Sequence, residues 1–73
     1  MPARFRDIRR ALLDYGITAE PPSSGSHWKL RDATGKAYTL PCHNGDRTEI
    51  SDVYLRALCR AFGLDWHEFM RKL

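Results

Sequence analysis

The residues able to do chemistry fall in one short stretch. Gly25-Ser26-His27-Trp28-Lys29-Leu30-Arg31 alternates with the period of a β-strand. On a strand, His27, Lys29 and Arg31 share one face, and Trp28 and Leu30 share the other. An imidazole accepts and returns a proton near neutral pH, and two neighbouring cations suit an anion. Lys29 lies two residues from His27, roughly 7 Å along a strand at ~3.3 Å per residue. RNA brings its own nucleophile, the 2′-hydroxyl. A metal-free cleavage therefore needs a base near that hydroxyl and positive charge near the phosphate. Gly25 lets the backbone approach a ligand closely. Ser26 falls on the inner side, where a hydrogen bond would fix the loop.

Other reactive side chains carry weaker patterns. His43 follows Leu40-Pro41-Cys42 and is a candidate for assisting His27; its alternative is a role in loop structure. Cys42 beside His43 hints at a metal, but a zinc site usually needs about four ligands at recognisable spacing, and no C-x-x-C is present. No metal and no cofactor is expected. Cys59 lies on an apolar helical stripe and reads as core. His67, beside Trp66, reads as surface.

The elements that must hold this stretch follow from periodicity. Phe5, Ile8, Leu12 and Tyr15 repeat at helical spacing, predicting a first helix from about Ala3 to Tyr15. Its arginine pairs read as a solvated face, with contact to RNA as the alternative. Ile17–Glu20 is a candidate first strand, and Pro21-Pro22-Ser23-Ser24-Gly25 a loop. Strands from Ser26 to Arg31 and from Lys36 to Leu40, joined by Asp32-Ala33-Thr34-Gly35, read as an antiparallel hairpin that Pro41 ends. Cys42 to Ile50 reads as a polar loop. Ser51 is a plausible N-cap for a helix striped by Leu55, Leu58, Cys59 and Phe62 and closed by Gly63. Asp65 and Glu68 resemble a capping box opening a short terminal helix, at about 65–73, with Trp66, Phe69, Met70 and Leu73 as its apolar stripe. The expected fold is α+β in the order α-β-β-β-α(-α), a three-stranded antiparallel sheet covered by helices on one face.

Length bounds the rest. The chain has 73 residues, room for one small domain spanning 1–73, with ordinary globular composition. No apolar run approaches the ~20 residues of a membrane helix. Met1 to Arg6 has no apolar signal core, so a reducing cytoplasm is the expected compartment for its two cysteines. Twelve Lys and Arg against nine Asp and Glu give a net charge of +3. The basic groups lie in three stretches separated by an acidic loop around Asp46, Glu49 and Asp52. Such a balance suits a polyanionic partner.

Taken together, Gly25-Ser26-His27, Gly35, Leu40-Pro41 with His43, the stripe Phe5–Tyr15, and Leu55–Phe62 with Gly63-Leu64 resemble the HicA family of toxin–antitoxin ribonucleases. The resemblance covers nearly the whole chain and lies in the order and spacing of individually short motifs. It implies a double-stranded-RNA-binding-domain-like fold, cleavage of mRNA, and a HicB-like antitoxin that masks the site. It assigns the catalytic role to His27. Many members carry a second His directly after the first; here Trp28 stands there. The loop before Gly25 has two prolines and two serines where many members run an extended basic strand. Gly25, Ser26, Lys29, Arg31 and Lys36 form the expected RNA-contacting set.

Two other functions stay open at this point. One is a non-catalytic RNA-binding module of the double-stranded-RNA-binding type. The other is an interaction protein whose basic face meets an acidic partner.

Overall fold

The structure, a computed structural model, describes residues 3–73. Met1 and Pro2, part of the expected domain, lie outside the described residues. The elements are β1 (Ala3–Arg4), α1 (Phe5–Leu13), β2 (Thr18–Glu20), β3 (His27–Arg31), β4 (Ala37–Pro41), a 3₁₀ turn (Gly45–Arg47), β5 (Glu49–Ile50), α2 (Asp52–Phe62) and α3 (Trp66–Arg71). This is an α+β chain built on a three-stranded antiparallel sheet in the order β2-β3-β4. Among the described residues, no helix is long and apolar enough to cross a membrane.

The sheet is two-faced because its strands alternate. Ala19 pairs with Leu30, Leu30 with Tyr38, and Trp28 with Leu40, so these residues point to one side. Leu30 and Leu40 are fully buried there, with Trp28, Tyr38 and Ala19 packed against the same core. Phe5, Ile8, Ala11 and Leu12 of α1 and Leu55, Leu58, Cys59 and Phe62 of α2 fill it from the other side. The Phe5 ring meets Trp28 edge-on, with centroids 5.0 Å apart. Phe69 of α3 completes the core, while Trp66 and Met70 are half-buried against it. Leu73, expected on that stripe, is exposed beyond the helix end.

Two sequence expectations need correction. α1 begins at Phe5 rather than Ala3, because Ala3 and Arg4 pair as a strand with Ile50 and Glu49. It ends at Leu13, and residues 14–16 form a turn. Correspondingly, the stretch from Cys42 to Ile50 is not simply loop. It contains the 3₁₀ turn and β5, so a second, two-stranded sheet joins the start of the chain to the entry of α2.

Local chemistry sets the helix ends. Gly63 takes φ +70°, a conformation that suits a residue without Cβ, and donates to the Arg60 carbonyl while Leu64 donates to that of Cys59. Ser51 occupies the N-cap of α2, but its hydroxyl makes no capping bond. Asp65 caps α3 by accepting from the Glu68 N–H at 2.8 Å. The Glu68 carboxylate does not return the bond. It accepts from the Tyr15 hydroxyl at 2.8 Å, tying α3 to the end of α1. Desolvation first, then this bond, pushes the Tyr15 hydroxyl up to about 12.

The arginines of α1 are not all solvated. Arg9 grips Asp46 with two hydrogen bonds, Nε to Oδ1 at 2.7 Å and Nη2 to Oδ2 at 2.8 Å. This bidentate pair docks the 3₁₀ turn on the helix, and Phe5 N–H adds a bond to the Thr48 carbonyl. The Arg9 hydrogen bonds hold the Asp46 carboxyl below its usual range. The folded protein thus binds that proton less tightly than the unfolded chain. Its stabilisation is complete above the ordinary aspartate value of ~3.9 and is lost as pH falls through the lower folded value. Asp46→Asn is therefore expected to lower Tm at pH 7 and to flatten the acid limb of a Tm-against-pH curve. An acid limb superimposable on the parent's would show that the clamp contributes nothing.

Candidate nucleic-acid interface

The face of the sheet away from the helices carries the polar half of each strand. Register places Thr18 and Glu20 of β2 beside Arg31 and Lys29 of β3, and Thr39, Pro41 and Ala37 of β4 beside Lys29, His27 and Arg31. His27, Lys29 and Arg31 thus form a row along the central strand. His27 and Lys29 are exposed, and Arg31 is partly exposed. Successive members of the row are roughly 7 Å apart at ~3.3 Å rise per residue, about the spacing of successive phosphates in an extended strand of RNA.

The row stands on a rigid backing. Trp28, directly after His27, points inward against Phe5, and Leu30 is fully buried. Pro41 is opposite His27 at the end of β4. A proline is tolerated there because β4 is an edge strand. Pairing continues one step further, since the Cys42 N–H donates to the Ser26 carbonyl at 2.8 Å. That bond fixes the approach to His27. It uses the backbone carbonyl of Ser26. Ser26 is half-buried. Gly25 has φ +83°, and a Cβ added to it would meet nothing within 4 Å. The turn conformation, not crowding within the chain, is what favours glycine at this position.

The hairpin separates the remaining expected residues. His43 is exposed and follows Cys42, at the same end of the hairpin as Gly25 and His27. Lys36 lies at the opposite end, in the turn closed by Asp32. There the Asp32 Oδ1 accepts from the Thr34 N–H and hydroxyl and from the Lys36 N–H. These bonds, that of the Thr34 hydroxyl foremost, hold the Asp32 carboxyl below its usual range. The structure therefore groups His27, Lys29 and Arg31, sets His43 nearby, and leaves Lys36 at the far end of the hairpin from His27.

One member of the face escaped the sequence reading. Glu20 lies opposite Lys29, and its Oε2 accepts from Arg31 Nε at 3.0 Å. Alternation along Thr18-Ala19-Glu20 marks Glu20 as outward, but only the register of β2 on β3 shows which cation it meets.

The thiols stand apart from this face. Cys42 and Cys59 are both buried, and burial raises both, Cys42 to about 11. They remain protonated thiols at neutral pH. Among the described residues, no three His, Cys, Asp or Glu side chains are grouped as a metal site would require. No family model, curated protein or solved structure matches the chain.

Proposed function

We propose that this protein is a metal-independent endoribonuclease of the HicA type, the toxin of a toxin–antitoxin pair that cleaves mRNA in the cytoplasm and is masked by a HicB-like antitoxin. The observation that carries the reading is the exposed His27 in line with Lys29 and Arg31 on the helix-free face of the sheet. The arrangement of one helix before three antiparallel strands and helices after them is compatible with a double-stranded-RNA-binding-domain-like fold.

The chemistry follows from the row. His27 takes the proton of a 2′-hydroxyl, whose oxygen attacks the adjacent phosphorus. The bond from phosphorus to the 5′-oxygen breaks, and that oxygen leaves with a proton returned by the imidazolium. The products are a 2′,3′-cyclic phosphate and a 5′-hydroxyl. Lys29 and Arg31 stabilise the charge that accumulates on the phosphate oxygens. In this reading His43, exposed at the same end of the hairpin as His27, is an assisting residue.

The purified chain is expected to cleave single-stranded RNA in excess chelator and to leave cyclic-phosphate ends. RNA retained but never cut would instead make it a non-catalytic RNA-binding module. Binding to an acidic protein with no RNA affinity would exclude both.

A further inference from the structure

We propose that Glu20 is a positioning residue for RNA phosphate. It grips one edge of the Arg31 guanidinium and so turns the other edge toward the backbone of the bound strand. The inference rests on the ribonuclease reading above and adds to it a residue with the wrong charge for an RNA contact.

The argument starts from which nitrogen is engaged. A guanidinium has one edge that includes Nε and another formed by its two terminal nitrogens. Glu20 Oε2 takes the Nε edge at 3.0 Å. Among the described residues, neither terminal nitrogen of Arg31 has a hydrogen-bond partner. That free edge is the one that matches two phosphate oxygens. The pair is also well anchored. Glu20 and Arg31 sit diagonally across the β2–β3 ladder, and the Thr18 hydroxyl donates to the Arg31 carbonyl at 3.4 Å.

Without Glu20, a long side chain would sample many rotamers and lose that freedom on binding. Preorganisation and net charge therefore make opposite demands. By charge alone, removing a carboxylate from an RNA-binding face tightens binding. By positioning, it weakens binding.

The test measures binding of a labelled single-stranded RNA to the full chain across a salt series, in a His27→Ala background so that the RNA stays intact. Glu20→Ala is expected to weaken binding about threefold to fivefold, the scale of a partly exposed ion pair. Glu20→Gln, whose amide oxygen still accepts from Nε, is expected to bind at least as tightly as its parent. Arg31→Ala should weaken binding and reduce the slope of log affinity against log salt by about 0.7, the value for one phosphate contact on a single strand. Adding Glu20→Ala to Arg31→Ala should then cause no further loss, because only the relief of a negative charge remains. Glu20→Ala binding as tightly as its parent, or tighter, overturns the proposal and leaves Glu20 as a competitor of phosphate. So does a loss that persists unchanged in the Arg31→Ala background. Absence of RNA binding by the parent removes the ribonuclease reading, and the positioning role with it.

Discussion

His27→Ala is expected to slow RNA cleavage by about 10²–10⁴-fold, the usual contribution of a positioned acid–base side chain. Folding should be spared. The imidazole is exposed, makes no hydrogen bond with the described residues, and pairs with Pro41 only through strand register. The stability change should lie within about 0.5 kcal/mol, as for surface substitutions away from packed features. Single-turnover cleavage of a labelled RNA, with Tm recorded in parallel, separates the two effects. A variant that cuts at the parent's rate would remove His27 from the mechanism. A variant that loses cleavage and Tm together would assign His27 to the fold instead.

The second large effect lies directly behind the first. Phe5→Ala is expected to unfold the protein. The Phe5 ring is fully buried and edge-on to Trp28, on the strand that carries His27. Deleting a buried phenylalanine costs about 3–5 kcal/mol. A core in a chain of this size rarely supplies more than about 3–5 kcal/mol in total. The variant should therefore show no cooperative thermal transition and no near-ultraviolet circular dichroism. A cooperative melt within a few degrees of the parent's would mean that the core closes around the missing ring. The contrast between His27 and Phe5 is informative, since both lie at the same end of the sheet on opposite sides of one backbone.

Local patterns made much of this architecture legible. The period-two run from His27 to Arg31 placed three polar side chains on one face and two apolar ones in the core, and the strand pairs agree. The stripes of α1 and α2, the turn at Asp32 and the cap at Asp65 were also local, because each depends on residues within a few positions. Long-range pairings were not legible. Nothing near Ala3-Arg4 marks a strand, since a two-residue ladder is too short to show a period, and its partners lie at Glu49-Ile50. Arg9 read as a surface charge because its partner, Asp46, is 37 residues away. Glu68 read as half of a capping box, yet its carboxylate is taken by Tyr15 from α1. At the candidate site, His27, Lys29 and Arg31 were legible as a group, but the grip of Glu20 on Arg31 required the register across a loop of two prolines and two serines.

The alternation of β3 also divides labour between selection pressures. The apolar residues of this strand, Trp28 and Leu30, point inward, and the three candidate site residues, His27, Lys29 and Arg31, point outward. Thr18, Glu20, Lys29, Arg31 and Thr39 can therefore be exchanged for other polar side chains with little toll on folding. A lineage, or a library, is free to rewrite the outer face of the sheet while inheriting the same foundation. Evolvability of this kind is a property of a one-sided sheet, and it would be lost if the strand were covered on both faces.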